Sequence, residues 1–379
     1  MHLVVVSHAC VTDINQQIYA EMELQGHKVD IIVPSNFIAP GLTNTPIKVK
    51  RWPTFKGRII EVPTLINSSI PLHFYRKSLK KLFIESKPDA VYVAEEPYSL
   101  SCFQVLNSAL PYTKAIGFYS AQNINKKYPL FFHNIEKFVY NKSNVAISIS
   151  KDVSKVLREK GFQKHIAEIP LGVDDKHFTI SIEQKEKSRK AINIPLDAFV
   201  FGFAGRIVEE KGVDLLIEAF QSIYKQSTNS YLVIVGRGPL LNNMQNLASR
   251  LGIKDNIKFV ENATHSEMPQ WFNCMDVHVL PSKTKSNWRE QFGRVLIEAA
   301  SCGVPSIGSS SGEIPKVLES LGMYNIFAEG DINGLAVELE RMEKKLIEKE
   351  KVRERAIYKY GNKEIAKQLI ESFEKIIAN

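Results

Sequence analysis

The sequence predicts an α/β protein made of two doubly wound domains, each a parallel sheet with helices on both faces. Three observations carry this. Short, continuously apolar runs alternate with helix-patterned stretches through the first 170 residues, the pattern of βα units feeding a buried parallel sheet. The alternation breaks over residues 171–196 and then restarts, running to about residue 344. The length of 379 residues suits two domains at roughly 100–200 residues each, and either half is long enough to bury its own core.

In the first half, a strand is expected at 3–7, then a helical pattern at 15–24 ended by Gly26, then a strand at 29–33 stopped by Pro34. Residues 38–73 are rich in Pro, Asn, Thr and Ser and read as loops, with one strand near 59–62. A helix at 79–86 stops before Pro88, since the residue preceding proline is pushed out of the helical region. A strand at 90–94, a helix at 98–109, a strand at 115–119, a helix at 131–141 and a strand at 145–148 follow. A helix at 151–160 ends at Gly161, and 166–169 is the last strand of this half.

Pro170-Leu171-Gly172-Val173-Asp174 is turn chemistry, 181–190 is densely charged and Pro195 closes the stretch, so the interdomain linker is placed here. The second half reads as strand 199–204, helix 212–226 and strand 232–235. Gly236-Arg237-Gly238-Pro239 then leads into helix 240–251. Next come strand 257–260, helix 266–273, strand 277–280, helix 291–301 ended by Gly303, strand 305–307, helix 313–319, strand 324–327 and helix 331–344. The tail at 348–378 reads as one charged amphipathic helix. The expected domains are 1–170 and 171–350, with 351–379 a C-terminal helix free to cross back to the first domain. Two such domains leave a cleft between the carboxyl ends of their sheets, where doubly wound folds take ligands.

Composition excludes several classes. A 44% hydrophobic and 24% charged share is that of a soluble globular protein. No apolar run approaches the roughly 20 residues that span a bilayer. Met1 leads directly into His2-Leu3-Val4 without a basic region, so no secretory leader is expected. Cys10, Cys102, Cys274 and Cys302 form no C-x-x-C pair, as expected of free thiols in a reducing cytoplasm.

The net charge of +8 is confined to the first half: residues 1–170 hold 21 Lys/Arg against 13 Asp/Glu, and the remainder balances at 28 of each. Two clusters stand out. One is Lys48, Lys50, Arg51, Lys56 and Arg58 around Trp52 and Phe55; the other is Arg76, Lys77, Lys80, Lys81 and Lys87. Basic residues mixed with aromatics suit an anionic membrane surface, and a solvated face that aids solubility is the plainer reading. No recognition motif accompanies the charge, which excludes nucleic acid as a partner.

Two elements carry chemistry. After Pro281-Ser282 comes Glu290-Gln291-Phe292-Gly293-Arg294, then Glu298. Along a helix, an eight-residue separation is about 12 Å, the reach from a hexose ring across a diphosphate to a ribose. A carboxylate is a strong acceptor for sugar hydroxyls. Gly293 would let backbone N–H groups near a helix start approach a ligand. The plainer alternative is an amphipathic helix decorated by two glutamates. The second element, Gly205-Arg206 followed by Lys211-Gly212, puts a guanidinium and an ammonium in one glycine turn after a buried strand. Both are suited to phosphate oxygens, although an ordinary charged turn would look alike.

Taken together these elements resemble glycosyltransferase family 4, the retaining GT-B glycosyltransferases of glycosyl transferases group 1. The resemblance extends to Ile169-Pro170-Leu171-Gly172-Val173-Asp174, Val235-Gly236-Arg237-Gly238-Pro239 and Gly308-Ser309-Ser310-Ser311-Gly312-Glu313-Ile314-Pro315. It is strong over about 165–320 and weaker before. It implies two Rossmann-like domains, the first for the acceptor and the second for a nucleotide-sugar donor. It implies that Arg206 and Lys211 hold the donor diphosphate, that Glu290 faces the transferred sugar and that Glu298 faces the ribose. Gly205, Phe292, Gly293, Arg294 and the backbone near Val260 complete the donor site.

The implied activity is metal-independent hexosyl transfer to a hydroxyl of a glycolipid, lipopolysaccharide or polysaccharide precursor. The implied location is the cytoplasm, peripherally on the inner face of the membrane. No cofactor or metal is expected besides the donor substrate, and there is no Asp-x-Asp motif. The first half departs from the commoner family pattern: Ser7-His8-Ala9 stands where a Gly-Gly loop is usual, and Gln122-Asn123 where a histidine is usual. Acceptor-side candidates are therefore His8, Glu96, Gln122 and Asn123. A sugar-nucleotide epimerase, a phosphorylase and a catalytically silent nucleotide-sugar-binding module share the fold and remain as alternatives. A nicotinamide dehydrogenase does not, since no G-x-G-x-x-G follows the first strand.

Overall fold

The computed structural model describes residues 1–40, 43–226 and 229–378; of the loop-rich stretch 38–73, residues 41 and 42 lie outside it. The chain divides into two units, residues 1–172 together with the C-terminal stretch from Asn362, and Val173–Gly361.

Unit 1 holds β1 (His2–Val6), β2 (Lys28–Pro34), β3 (Ile59–Val62), β4 (Ala90–Val93), β5 (Ala115–Ser120), β6 (Val145–Ser148) and β7 (His165–Glu168). They form one sheet in the order β3-β2-β1-β4-β5-β6-β7, with every pairing parallel. In β1, Leu3 to Val6 are buried on both faces, which explains a continuous apolar run instead of alternation. From β1 the chain winds outward to β3, then returns and winds the other way from β4 to β7. The reversal puts a topological switch point between β1 and β4, the place where ligands bind in open α/β sheets.

The core of unit 1 includes its last helix, Asn362–Ala378. Ile365, Ala366, Leu369, Ile370 and Phe373 are buried among Leu3, Val5, Tyr92, Ala115 and Val145. The tail at 348–378 is not the single helix expected from the sequence. There are two helices, Lys349–Tyr360 and Asn362–Ala378, separated at an extended Gly361. The Val173 N–H donates to the Tyr360 carbonyl at 2.8 Å, and this bridge draws the chain out of the helix.

Unit 2 holds β8 (Phe199–Ala204), β9 (Ser230–Val235), β10 (Ile257–Val260), β11 (Val277–Leu280), β12 (Ser306–Ser309) and β13 (Ile326–Phe327). The order is β10-β9-β8-β11-β12-β13, again all parallel, with the switch point between β8 and β11. The charged stretch assigned to the linker contains a helix, Ile182–Ala191, capped by the Ser181 side chain. Sequence patterning missed it because its anchor is a buried guanidinium and not an apolar stripe. Arg189 is 1% exposed; it pairs with Asp276 at 2.7 Å and donates to the carbonyls of Cys274, Leu196 and Ala198.

The two basic clusters differ. Phe55 is core, Arg51 donates to the carbonyls of Phe55 and Gly57, and Arg58 pairs with buried Asp30 at 2.6 Å. That cluster is partly structural. Arg76, Lys77, Lys80, Lys81 and Lys87 are all exposed, in the same region as exposed Leu65, Ile66, Ile70 and Ile84. Among the described residues no helix is long and apolar enough to cross a membrane.

Candidate functional site

In unit 2 the loops after β8 and β11 meet at the switch point. Gly205 and Arg206 follow β8, and a short 3-10 turn, Glu209–Lys211, precedes helix Val213–Gln226. The Lys283 N–H donates to the Glu210 carbonyl at 2.8 Å, tying the two loops together. The Lys211 ammonium lies 2.6 Å from Glu290 Oε2 and 5.0 Å from the centre of the Trp288 ring. The Ser282 hydroxyl donates to the same Glu290 oxygen at 2.9 Å. Both members of the ion pair are largely withdrawn from water, at 16% and 9% side-chain exposure, so the pair is fixed and desolvated.

The backbone around Glu290 is equally constrained. Its carbonyl accepts the Glu313 N–H at 3.2 Å. Gly312 has φ +53°, and a Cβ there would stand 2.0 Å from that carbonyl oxygen; only glycine allows the loop after β12 to approach so closely. Ser309 closes the arrangement by donating to the Ser282 carbonyl at 2.6 Å.

Gly293, in the left-handed region, starts helix Arg294–Ser301 with no side-chain cap on its first N–H groups. Uncapped N–H groups and the helix dipole favour an anion there. Glu298 sits on this helix, 5% exposed, with His265 Nε2 at 3.4 Å from its carboxylate; His177 stacks on His265. Phe292 is buried edge-on against Tyr360, so at that position the backbone, not the ring, is available to a ligand. Arg294 is exposed. The Val260 carbonyl ends β10 and accepts the Gly236 N–H at 2.8 Å.

The structure thus brings Lys211, Glu290 and Ser282 into direct contact. Arg206 is exposed on the same turn, its guanidinium 3.7 Å from the Glu210 carboxylate. The nearby cations Lys283 and Lys285 are taken up by Asp214 and Glu209. Sequence reasoning did not single out Trp288 or His265; neither stands in a distinctive motif.

In unit 1 the acceptor-side candidates lie on the loops after three adjacent strands, β1, β4 and β5. Glu96 accepts the Ser120 hydroxyl at 2.9 Å and the Ala121 N–H at 2.8 Å. Burial pushes its carboxyl up to about 7 against those two bonds. The Gln122 amide donates to the Ile124 carbonyl at 3.1 Å, and Asn123 is buried.

His8 is held by Glu95, the residue before the candidate Glu96. Its N–H donates to Oε1 at 2.7 Å, and Nδ1 lies 2.6 Å from Oε2. His73 completes the group, with Nε2 3.7 Å from Glu95 Oε1. Burial alone would lower the His8 pKa, but the charge and hydrogen bond of Glu95 outweigh it and raise it. Burial alone would raise Glu95, and His8 and His73 hold it below the usual range. Among the described residues, His8, His73 and Glu95 are also the group whose ligand atoms, all within 4.8 Å of one another, could hold a metal ion. His73 gave no sequence signal beyond a lone histidine in an apolar stretch, and 65 residues separate it from His8.

Two parallel α/β units, each with a polar cluster at the carboxyl ends of its sheet, define a GT-B architecture. Two family models match the chain, Glycosyltransferase Family 4 over residues 15–177 and Glycosyl transferases group 1 over residues 184–360. Each model matches a little under half of the chain and the two together span most of it, so the chain is related to these two glycosyltransferase families. It is 31% identical over 152 residues to a GDP-mannose-dependent alpha-(1-6)-phosphatidylinositol monomannoside mannosyltransferase of Mycolicibacterium smegmatis, a match covering 40% of each chain. The chain therefore spans about two fifths of the length of the curated relatives it matches first.

Solved structures agree in fold across the whole chain. A glycosyltransferase from Rickettsia africae superposes with a TM-score of 0.75 at 16% identity, covering 100% of this chain and 99% of that one. Sucrose-phosphate synthase from Thermosynechococcus elongatus superposes at 0.72 with 19% identity and the same coverage.

Proposed function

We propose that the protein transfers a hexosyl unit from a nucleoside-diphosphate sugar to a hydroxyl acceptor, with retention at the anomeric carbon. The observation that carries this reading is the desolvated Lys211–Glu290 pair at the carboxyl ends of β8 and β11. As the glycosidic bond breaks, negative charge grows on the leaving diphosphate, and a preorganised cation in a dry site stabilises it most. Lys211 is held for that task by Glu290. Arg206 adds a planar guanidinium on the same turn, matched to phosphate oxygens. Glu290 then accepts from the hydroxyls of the transferred sugar, and Glu298 from the ribose.

Retention needs no protein nucleophile. In an oxocarbenium-like state the leaving oxygen takes the proton of the incoming hydroxyl, and the protein supplies position and charge stabilisation. Two cations at the diphosphate supply the neutralisation a divalent metal would otherwise give.

The Mycolicibacterium relative is, by its name, GDP-mannose-dependent and acts on a phosphatidylinositol mannoside. Carried over, that gives a mannosyl donor and a lipid-linked acceptor. The exposed basic and apolar residues of unit 1 between 65 and 87 support working at an anionic membrane face.

The test is to incubate the protein with a panel of nucleotide sugars, GDP-mannose included, with and without lipid-linked saccharides. Acceptor-dependent donor consumption is expected; consumption that ignores the acceptor would point to an epimerase, and none at all to a silent binding module. Glu290→Gln is expected to lower turnover by about 10²–10³-fold with unchanged far-UV circular dichroism. Near-normal turnover removes Glu290 from the site. Anomeric proton couplings of the product read retention directly. Flotation with anionic vesicles at low salt tests the membrane face, and failure to float excludes it.

A further inference from the structure

We propose that Trp288 is a positioning residue for sugar transfer: its indole face holds the Lys211 ammonium without neutralising it, so that the charge stays available to a diphosphate. The proposal lies wholly within unit 2 and rests on the transfer reading for the molecule that carries the diphosphate.

Lys211 carries a compact charge on a flexible four-carbon stem, so its head must be fixed if it is to act as a preorganised cation. Two side chains fix it, and they stand two residues apart in the chain. Glu290 Oε2 lies 2.6 Å from Nζ, and the centre of the Trp288 ring lies 5.0 Å from it. An ammonium has three N–H donors. The carboxylate takes one, and the negative face of the indole attracts the cation from a second side, which leaves donor capacity for a ligand. Trp288 is only half-buried, so packing in the core does not account for its placement.

The segment that carries Trp288 is anchored at several points. Residues 285–288 form a tight turn, in which the Lys285 N–H donates to the Trp288 carbonyl at 2.7 Å and the Trp288 N–H to the Lys285 carbonyl at 3.3 Å. Each residue leading into the turn is tied to a different part of unit 2. Lys283 Nζ lies 2.7 Å from Asp214. The Thr284 N–H and hydroxyl donate to the Glu329 carboxylate at 2.6 and 2.7 Å. Lys285 pairs with Glu209. A turn anchored in this way brings the ring to Lys211 before any ligand arrives.

The same anchors set the charge. The turn after β8 and the start of the helix that follows carry three carboxylates, Glu209, Glu210 and Asp214. Each faces a cation other than Lys211, namely Lys285, Arg206 and Lys283. Among the described residues, Glu290 is the carboxylate paired with Lys211, and the oxygen it offers also accepts the Ser282 hydroxyl. A second carboxylate in the place of Trp288 would overbalance the ammonium and repel a diphosphate. An indole holds the ammonium and adds no charge.

Ammonium NMR of ¹⁵N-lysine-labelled protein reads the contact at rest. The Lys211 signal, assigned by its loss in Lys211→Arg, should be shifted upfield by the indole ring current and exchange slowly with water. Trp288→Leu should remove the shift and speed the exchange, and Trp288→Phe, which keeps a weaker π face, should fall between. GDP and UDP, standing in for the leaving group, are then titrated by calorimetry. Trp288→Leu should weaken whichever binds by about tenfold, and Trp288→Glu should weaken it further. In turnover, Trp288→Leu should lower kcat by about tenfold with a smaller change in donor KM, and Trp288→Phe should recover most of the loss.

An unshifted Lys211 signal in the unmodified protein, or no binding of either diphosphate, overturns the proposal. So does a Trp288→Phe variant that behaves like Trp288→Leu, since the π face would then be irrelevant. A raised donor KM with unchanged kcat also overturns it, by showing that the indole stacks on the substrate. Trp288→Glu binding the diphosphate as well as Trp288→Leu does refutes the charge argument. Because the ammonium and the diphosphate are read on the resting protein, failed sugar transfer with Lys211 held and diphosphate bound as described counts against the transfer reading alone.

Discussion

Glu95 and Glu96 are neighbours in sequence, yet their environments drive them apart. Glu95 meets two imidazoles and stays ionised; Glu96 meets only a hydroxyl and a backbone N–H, and its carboxyl is pushed up to about 7. The consequence for stability has a definite sign. Unfolded, Glu96 releases its proton near 4.5, so between that pH and about 7 the folded chain binds the proton more tightly. Stability contributed by Glu96 therefore falls as pH rises through that window. Glu96→Gln should flatten this part of the profile, raising Tm more at pH 8 than at pH 5, and equal changes at both would refute the assignment. Lys211 and Arg206 offer a second contrast. Lys211→Ala leaves the buried Glu290 carboxylate without its cation, so it should depress both turnover and Tm, by about 3–5 kcal/mol in stability. Arg206→Ala breaks an exposed contact worth about 0–1 kcal/mol and should cost turnover with Tm nearly unchanged. Paired thermal and kinetic measurements separate the two.

At the scale of elements, the site of unit 2 depends on three loops held in register by backbone contacts. Gly312→Ala forces a Cβ into the Glu290 carbonyl and a side chain into a left-handed conformation that disfavours it by about 1–2 kcal/mol. The expected result is a lowered Tm and turnover reduced at least about tenfold; an unaffected kcat would mean that the loop after β12 does not position Glu290. These loops were legible in the sequence because each is a contiguous run: Gly205 to Gly212, Pro281 to Gly293 and Gly308 to Pro315. The cluster in unit 1 was legible only at His8 and, one residue off, at Glu96 beside Glu95, because His73 arrives from a distant segment and only the fold brings it to Glu95. Helix Ile182–Ala191 escaped for a different reason. Its buried side is anchored by Arg189 on Asp276, and a charge that folds inward looks like a solvated one until its partner is known. The break at Gly361 was hidden too, since it is set by the pairing of Val173 with the Tyr360 carbonyl and not by helix propensity.

At the scale of the whole molecule, the chain leaves unit 1 at Gly172 and returns to it at Asn362, so the first unit is completed by the last segment of the sequence. The return is not superficial. Ile365, Leu369, Ile370 and Phe373 are each at most 4% exposed and belong to the same core as β1, β4 and β5. The Phe373 ring packs on Tyr92 and lies where a side chain at Gly117 would stand. At about 1.5–3 kcal/mol per fully buried large apolar side chain, these four account for roughly 6–12 kcal/mol, comparable with the whole stability of a typical domain of about 5–15 kcal/mol. A chain ending at Gly361 should therefore lose unit 1 and keep unit 2, which runs from Val173 to Gly361. Limited proteolysis read by mass spectrometry should show the region before residue 172 digested while a fragment close to Val173–Gly361 survives. Supplying residues 362–378 as a separate peptide should restore protection to unit 1. If the truncated chain protected unit 1 as well as the full chain does, the C-terminal helix would be a covering on that sheet and not part of its core.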